Sequence, residues 1–357
     1  MAWTCSALQD VEPQGLPVTY WFDAAPAGDP YPISVQLTGR RLGDSGIPTG
    51  DTFQVLRTLP HVLPGSGRVA LSTTVHDIPS GEWQVTAEPV TSARPDAAGT
   101  SGRPIGLAKA RTTGSTIFLP VARIRAPGAR LGAWPSLVAS GAVVALTLQF
   151  LLATNRHLPA GRLLGISLVA CLLGLAGAKT YYLLTHRQQK TSALRAGMSV
   201  QGFILAAVTT LVLGSWWAGI PLGPMLDATA PGLLFGLMIG RLGCFFGGCC
   251  TGRPTASRWG LWSSDRAVGV RRIPVQLMES TLAGLVAAGT LTAVLLIRPA
   301  TGGLLFIAGL AAYISGRQLL FPLRGIPRKT SWGRQATLVL ATLVLLATVA
   351  WLLASAR

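Results

Sequence analysis

The stretch that decides the fold runs from residue 225 to residue 255 and reads "MLDATAPGLLFGLMIGRLGCFFGGCCTGRPT". Its apolar part, about 225–246, is near the ~20 residues that a helix needs to cross a hydrocarbon core of ~30 Å. Asp227 and Arg241 lie near opposite ends of this part, and Gly232, Gly236 and Gly240 recur every four residues. Such glycines let another helix or a lipid headgroup approach the backbone closely. The stretch therefore predicts a membrane-spanning helix with a charged group near each end.

Long apolar runs fill the rest of the chain after residue 130. Seven are found, at about 134–153, 162–184, 198–217, 225–246, 275–297, 302–321 and 335–354. Half of all residues are hydrophobic and 12% are charged, which is apolar for a soluble protein of 357 residues. We therefore predict that residues 131–357 form a multi-pass α-helical membrane bundle of about seven transmembrane helices.

The basic residues behind the formal charge of +17 are distributed in the way that is typical of loops beside membrane helices. Residues 131–357 hold nineteen basic residues but only three acids, Asp227, Asp265 and Glu279. Bunching of basic residues between apolar runs is typical of loops beside membrane helices. Nucleic-acid binding is therefore not expected, although a net positive charge alone would suggest it.

The front of the chain has a different pattern. The segments "PISVQLTGR", "DTFQVLRTL", "RVALSTTVHDI" and "GEWQVTAEPV" are rich in Val, Thr and aromatic residues, and turn residues separate them. In the last, Trp83, Val85 and Ala87 share one face, a period of two that indicates a half-buried strand. We predict a soluble β-sandwich-like domain with a linker over 1–114, and a last strand and juxtamembrane segment over 115–130.

Several charged residues lie inside the predicted spans, where charge is costly and faces a bundle interior. Gln276 and Glu279 are three apart and share a helix face, while Arg241 and Arg317 carry planar guanidinium groups that suit a phosphate. In a membrane, the corresponding ligand is a phospholipid headgroup. A structural alternative stays open, in which Asp227 caps a helix and Glu279 neutralises an arginine.

Four segments resemble a known family, in the same order along the chain. The segments "IGRLGCFFGGCCTGRPT" (239–255) and "RRIPVQLMES" (271–280) resemble the signature region of prolipoprotein diacylglyceryl transferases. The segments "AGMSVQGFILA" (196–206) and "AYISGRQLL" (312–320) resemble two of the family's other helices. The resemblance covers roughly residues 131–357 and includes the number of helices.

The resemblance implies a reaction and a set of partners. Members of the family transfer a diacylglyceryl group from phosphatidylglycerol to the thiol of a lipobox cysteine in the signal peptide of a prolipoprotein, and glycerol phosphate leaves. It also implies a multi-pass protein of the bacterial plasma (inner) membrane, surrounded by membrane lipids, with no cofactor and no metal. The expected catalytic residues are Arg241, Arg317 and Gln201, and the expected phosphatidylglycerol-binding residues are Arg241, Gly252, Gln276, Glu279, Asp227 and Cys244.

The chain departs from the family pattern at positions that handle protons. The family's histidine, a candidate base, falls on Gln201, and glutamine does not take up a proton near neutral pH. The signature asparagine falls on Cys244 and the signature glutamate on Cys249. These departures leave open an alternative function, that of a catalytically altered or inactive relative that binds phospholipid or a partner protein.

Two further alternatives and the orientation also stay open. Cys244, Cys249 and Cys250 suit a soft metal or redox chemistry by residue type, but their spacing is not a standard zinc pattern and no histidine lies nearby. A transporter would have the spans, but no inverted repeat is visible. Loop charges predict a cytoplasmic N-terminus, whereas the resemblance implies the opposite side, and we expect the latter.

Overall fold

A computed structural model describes residues 11–43, 45–90, 107–185, 199–297, 302–325 and 332–355. The chain forms two compact units that are discontinuous in sequence. The first unit consists of Met1–Ser136, Arg241–Met278 and Pro322–Arg328, and the second of Leu137–Gly240, Glu279–Phe321 and Lys329–Arg357. The predicted front domain therefore belongs to one compact unit together with two later segments. A domain boundary at residue 131 would place those two segments in the other domain.

The first unit contains a sandwich of two antiparallel sheets, as the alternating segments predicted. Its first seven strands and one short helix are β1 (Gln14–Asp23), β2 (Tyr31–Leu42), β3 (Pro48–Val62), β4 (Arg68–His76), β5 (Glu82–Val90), β6 (Ala110–Ser115), β7 (Ile117–Phe118) and α1 (Leu119–Ala122). One sheet has the order β3-β2-β5-β6. Residues 91–106 of the predicted linker lie outside the described residues. The last residues of the predicted linker belong to strand β6 rather than to a loop.

The interior of the sandwich comes from the strand faces that the sequence pattern marked. Trp83, Val85 and Ala87 of β5 are buried, while Glu88 on the other face is exposed. They pack with apolar side chains of β1, β2 and β4 in one core. The period of two thus identified the buried face correctly.

A hairpin from the membrane part completes the second sheet. Strands β8 (Leu261–Ser264) and β9 (Val268–Arg272) follow the signature segment, and β9 pairs with β4 through Ala70↔Gly269 and Leu71↔Val268. The resulting sheet has the order β7-β1-β4-β9-β8. The loop after residue 246 is therefore part of the sandwich, and Val270 lies in its core.

The seven long helices follow the predicted spans within a few residues. They are α2 (Ala133–Asn155), α3 (Ala160–Thr185), α4 (Val200–Trp217), α5 (Leu222–Phe246), α6 (Val275–Leu296), α7 (Leu304–Leu320) and α8 (Gly333–Ser355). Six of these described helices are long and apolar enough to span a membrane, with α7 taken together with the turn up to Leu323, and α4 is a shorter apolar helix. The chain is thus a multi-pass membrane protein.

Strand pairing indicates that α4 also crosses the membrane. The stretch from Ala133 to Phe246 begins and ends next to one sheet, because β4 precedes it and β9, which pairs with β4, follows it. An even number of crossings must lie between two points on the same side. Helices α2, α3 and α5 supply three, so α4 supplies the fourth. Its 18 residues reach about 27 Å at 1.5 Å per residue, close to the hydrocarbon thickness.

Close helix contact occurs where the spaced glycines of α5 predicted it. A β-carbon at Gly236 would lie 3.0 Å from the carbonyl oxygen of Gly141 on α2, and one at Gly232 would overlap the carbonyl of Ala145. Small residues at such crossings permit backbone approach without a gap. In this part of α5, the glycines therefore serve packing against α2.

Candidate functional site

The end of α5 carries an arginine and the first of three clustered cysteines. Arg241 and Cys244 are three residues apart and share a face of the last turns. The chain then turns back at Gly248, which has a left-handed φ of 66°, and the N–H of Cys249 donates to the carbonyl of Cys244 at 3.0 Å. The sulfur atoms of Cys244, Cys249 and Cys250 consequently lie within 4.8 Å of one another.

The electrostatics of the cluster favour a single thiolate. Hydrogen bonds from the Cys244 and Cys249 thiols lower the pKa of Cys250, and the positive charges of Arg241 and Arg324 lower it further. The pKa of Cys249 is raised, mainly because its thiol is hydrogen-bonded to the other two sulfurs. Negative charge in the cluster is thus held on one sulfur and stabilised by two guanidinium groups.

Gly252 allows three segments of backbone to meet. It forms an isolated β-bridge with Arg324, and a β-carbon here would overlap the carbonyl oxygen of Ile273. The guanidinium of Arg272 also donates to the carbonyl of Gly252 at 3.2 Å. The structure therefore gives Gly252 a backbone role in bringing Arg324 to the cysteine loop, whereas its contact with phospholipid stays a prediction.

Arg272 and Gln276 fix the loop from within. Buried Arg272 donates to Asp265 at 2.7 Å; burial lowers the pKa of Arg272, and the Asp265 carboxylate opposes that shift. Gln276 is also buried, and its Nε2 donates to the carbonyl of Cys249 at 3.0 Å. Among the described residues, the Oε1 atom of Gln276 has no hydrogen-bond partner. Gln276 is thus a positioning residue for Cys249.

In the second unit, Asp227 caps a helix. Its Oδ2 accepts from the N–H of Gly303 at 2.8 Å and its Oδ1 from the N–H of Phe306 at 3.0 Å. These donors lie at the start of α7, where backbone N–H groups have no intrahelical acceptor. The contacts give Asp227 a structural role, one of the two alternatives that the sequence left open, and its contact with substrate stays a prediction.

The second unit also pairs the two charged residues expected from α6 and α7. Glu279 is fully buried, and its Oε1 lies 4.0 Å from Nε of Arg317, which is partly exposed. A buried carboxylate requires such a partner. The pair holds one exposed edge of a guanidinium in a fixed place, which is what phosphate binding by Arg317 would need.

Gln201 lies in the first turn of α4 and is exposed. Its Oε1 accepts a hydrogen bond from the hydroxyl of Ser199 at 2.9 Å. Neither group takes up a proton near neutral pH. The position that the resemblance assigns to a base therefore offers hydrogen bonding instead, and its catalytic role stays a prediction.

Comparison with known proteins decides the family. The family model described as prolipoprotein diacylglyceryl transferase matches residues 124–354, well over half of the chain. The chain belongs to this family. The match includes α2 to α8 and the β8–β9 hairpin, so the arginine and cysteine cluster lies in the part that the family shares.

Relatives of the prolipoprotein diacylglyceryl transferase family match over shorter stretches. Proteins named phosphatidylglycerol–prolipoprotein diacylglyceryl transferase are similar to this chain. The one from Leifsonia xyli is 30% identical over 169 residues, which are 43% of this chain and 50% of the relative. The one from Parasynechococcus marenigrum is 31% identical over 133 residues, which are 35% of this chain and 48% of the relative. One from Mycobacterium bovis is 35% identical over 144 residues, which are 36% of this chain and 30% of the relative. The chain thus spans about half the length of the relatives it matches, or less.

The structure brings together part of the expected site and adds one residue. Arg241, Cys244, Gly252 and Gln276 all lie at the cysteine loop of the first unit, and Glu279 and Arg317 pair in the second. The added residue is Arg324, whose charge acts on Cys250. Arg324 follows Arg317 by seven residues, but the two do not share one helix, because α7 ends at Leu320 and a 3-10 turn at Phe321–Leu323 follows.

Proposed function

We propose that this chain transfers a diacylglyceryl group from phosphatidylglycerol to the cysteine thiol of a prolipoprotein, in the bacterial inner membrane. Membership of the family and the names of its relatives support the reaction. The observation that carries the proposal for this chain is that Arg241 and Arg324 both lie near enough to Cys250, at the end of a membrane helix, for their positive charges to act there together. Both reactants, a phosphodiester and a thiolate, are negatively charged, so positive charge is needed where they meet.

The arginines would stabilise the charge that develops as glycerol phosphate leaves. As the bond between the glyceryl carbon and the phosphate oxygen breaks, a second negative charge forms on the phosphate. Fixed guanidinium groups in a site with little water stabilise such a charge strongly and need no reorganisation. Removing one comparable donor from other enzymes lowers kcat about 10²–10³-fold. In this proposal Arg241 binds the phosphate, and the catalytic role of Arg317 stays a separate prediction.

The proposal is tested with purified protein, phosphatidylglycerol vesicles and a lipobox peptide. Arg241→Ala is expected to lower the rate of peptide lipidation at least about 100-fold. Arg258→Ala is the matched control, because Arg258 is exposed in the loop of the same unit, and its rate should stay within about twofold of wild type. An unchanged rate in Arg241→Ala would remove that arginine from the mechanism.

Gln201 supports a second candidate, phospholipid binding without transfer. The side chain at this position hydrogen-bonds but does not act as a base. Under this alternative, the purified chain binds phosphatidylglycerol vesicles but leaves the lipobox peptide unmodified. Lipidation of the peptide by the wild-type chain would exclude it.

A further inference from the structure

The three sulfur atoms at the end of α5 form the strongest cluster of ligand atoms that the described residues contain outside the arginine site. Cys244 is buried, and Cys249 and Cys250 are half-buried, so the cluster is partly exposed. All three are free thiols. Thiolates are the ligands that select soft and borderline metal ions, Zn²⁺ among them.

The backbone is arranged to bring these sulfurs together. Cys250 has a left-handed φ of 55°, which is uncommon for a residue with a side chain. It follows Gly248, also left-handed, and Cys249, whose carbonyl is held by Gln276. A non-glycine residue in this region costs on the order of 1 kcal/mol and persists where its surroundings enforce it. The surrounding structure therefore holds the Cys250 sulfur in this position despite the backbone strain.

The distances suit one ion with three ligands. Zn–S bonds of about 2.3 Å in a tetrahedral site require sulfurs about 3.8 Å apart. The sulfurs lie within 4.8 Å of one another, so they need to approach by at most about 1 Å to hold the ion. Three protein ligands with a vacant fourth position are characteristic of catalytic zinc, whereas structural zinc is closed by four.

The charges also balance. Three thiolates and Zn²⁺ carry a net charge of −1, and a fourth thiolate makes it −2. Arg324, whose charge acts on Cys250, offsets the net charge of −1, while Arg241 keeps the phosphate contact proposed above. Buried charge is tolerated where it is paired, so Arg324 favours the three-thiolate site.

We propose that Cys244, Cys249 and Cys250 bind one Zn²⁺ ion and leave its fourth position to the cysteine of the acceptor peptide. The residue types left a soft-metal site open although their spacing is not a standard zinc pattern, because a helix end and a left-handed turn gather the sulfurs. The metal site stands independently of the proposed function, whereas its role toward the acceptor rests on it.

The role is activation of the acceptor thiol, which Gln201 does not provide. A thiol that binds zinc is deprotonated, and its proton passes to bulk water. The sulfur then forms a bond to the terminal glyceryl carbon of phosphatidylglycerol while the bond from that carbon to the phosphate oxygen breaks. The electron pair stays on that oxygen, and glycerol phosphate leaves as an anion. The step involves no oxidation or reduction.

The metal site is tested by elemental analysis of the full chain, purified under reducing conditions and loaded with Zn²⁺ alone. We expect about one zinc per chain, with X-ray absorption showing three sulfur neighbours at about 2.3 Å. Cys244→Ser, Cys249→Ser and Cys250→Ser should each reduce retained zinc at least about tenfold, whereas Cys171→Ser on α3 should retain it. Bound zinc that the three serine variants leave unchanged, copper in preference to zinc, or less than about one-tenth zinc per chain would overturn the proposal.

A separate measurement tests the role and distinguishes it from the proposed function. Chelator-treated protein should lose at least about tenfold in peptide lipidation and regain it with Zn²⁺, while its thermal unfolding shows that it stays folded. Full lipidation by metal-free protein would overturn the zinc role and leave the transferase standing. Bound zinc without any lipidation would overturn the proposed function and the role toward the acceptor, while leaving the metal site standing.

Discussion

Asp227 is the buried acid whose contacts are most completely defined. Both of its carboxylate oxygens accept backbone N–H groups at the start of α7. Without them, these donors would be left in an apolar environment, where an unsatisfied group costs ~1–3 kcal/mol. The charge near the start of α5 therefore serves helix capping, and its contact with substrate stays a prediction.

Replacing this cap should destabilise the membrane part. We expect Asp227→Ala to lower the free energy of unfolding by about 1–2 kcal/mol, whereas Asp227→Asn keeps one of the two acceptors and should lose less. The thermal unfolding midpoint in detergent measures both variants. Equal midpoints for Asp227→Ala and wild type would contradict the capping role.

Residue patterns predicted the arginine site only in part. Arg241 was identifiable because an arginine inside an apolar, glycine-rich run is rare and costly. Arg324 was not identifiable as a neighbour of the cysteines, because a 3-10 turn separates it from α7 and the Gly252 bridge, some seventy residues earlier, positions it. The three cysteines were identifiable as an open alternative, but their spacing did not predict how close the sulfurs lie, because a turn with two left-handed residues brings them together.

At the scale of elements, long periodic segments were predictable and short ones were not. Strands β2 to β5 have nine or more residues each, and their alternation is visible. Strands β8 and β9 have four and five residues, too few for a period of two to be distinguished from a loop. Their pairing partner β4 lies almost two hundred residues earlier, so local sequence does not indicate it.

The pairing of β9 with β4 makes a prediction about membrane sidedness. Single cysteines are introduced at Ser45, Ser257 and Asn155, in a chain whose own five cysteines are replaced by serine. An impermeant thiol reagent should label Ser45→Cys and Ser257→Cys from the same face of the membrane and Asn155→Cys from the opposite face. Labelling of the first two from different faces would contradict the strand pairing and the fourth crossing by α4.

At the scale of the whole molecule, the sequence predicted two parts in series, a β-domain followed by a helical bundle. The structure instead builds one compact unit from the β-domain, the end of α5, the loop up to α6 and the segment after α7. The amino-acid composition changes sharply at residue 131, but contacts within the first compact unit join residues from both sides of this boundary. Pairing across distant segments is decided by three-dimensional complementarity, which a pass along one sequence does not contain.

This composite unit should unfold as one. Val85 in β5 and Val270 in β9 are both buried in the same core. We expect Val85→Ala and Val270→Ala each to destabilise it by about 1–3 kcal/mol and to expose the β-domain and the cysteine loop to protease together. Leu346→Ala, exposed on α8, is the control. Cleavage of the loop without the β-domain in Val270→Ala would show that they unfold independently.

The central claim is transfer of a diacylglyceryl group to a thiol, and the mass of the acceptor peptide tests it most directly. A lipobox peptide is incubated with the wild-type chain and phosphatidylglycerol of defined acyl chains, and peptide and released glycerol phosphate are both quantified. The account predicts a mass gain of one diacylglyceryl group on the cysteine, with one glycerol phosphate released per modified peptide. An unmodified peptide, or an equal gain on a peptide with serine in place of that cysteine, would contradict it.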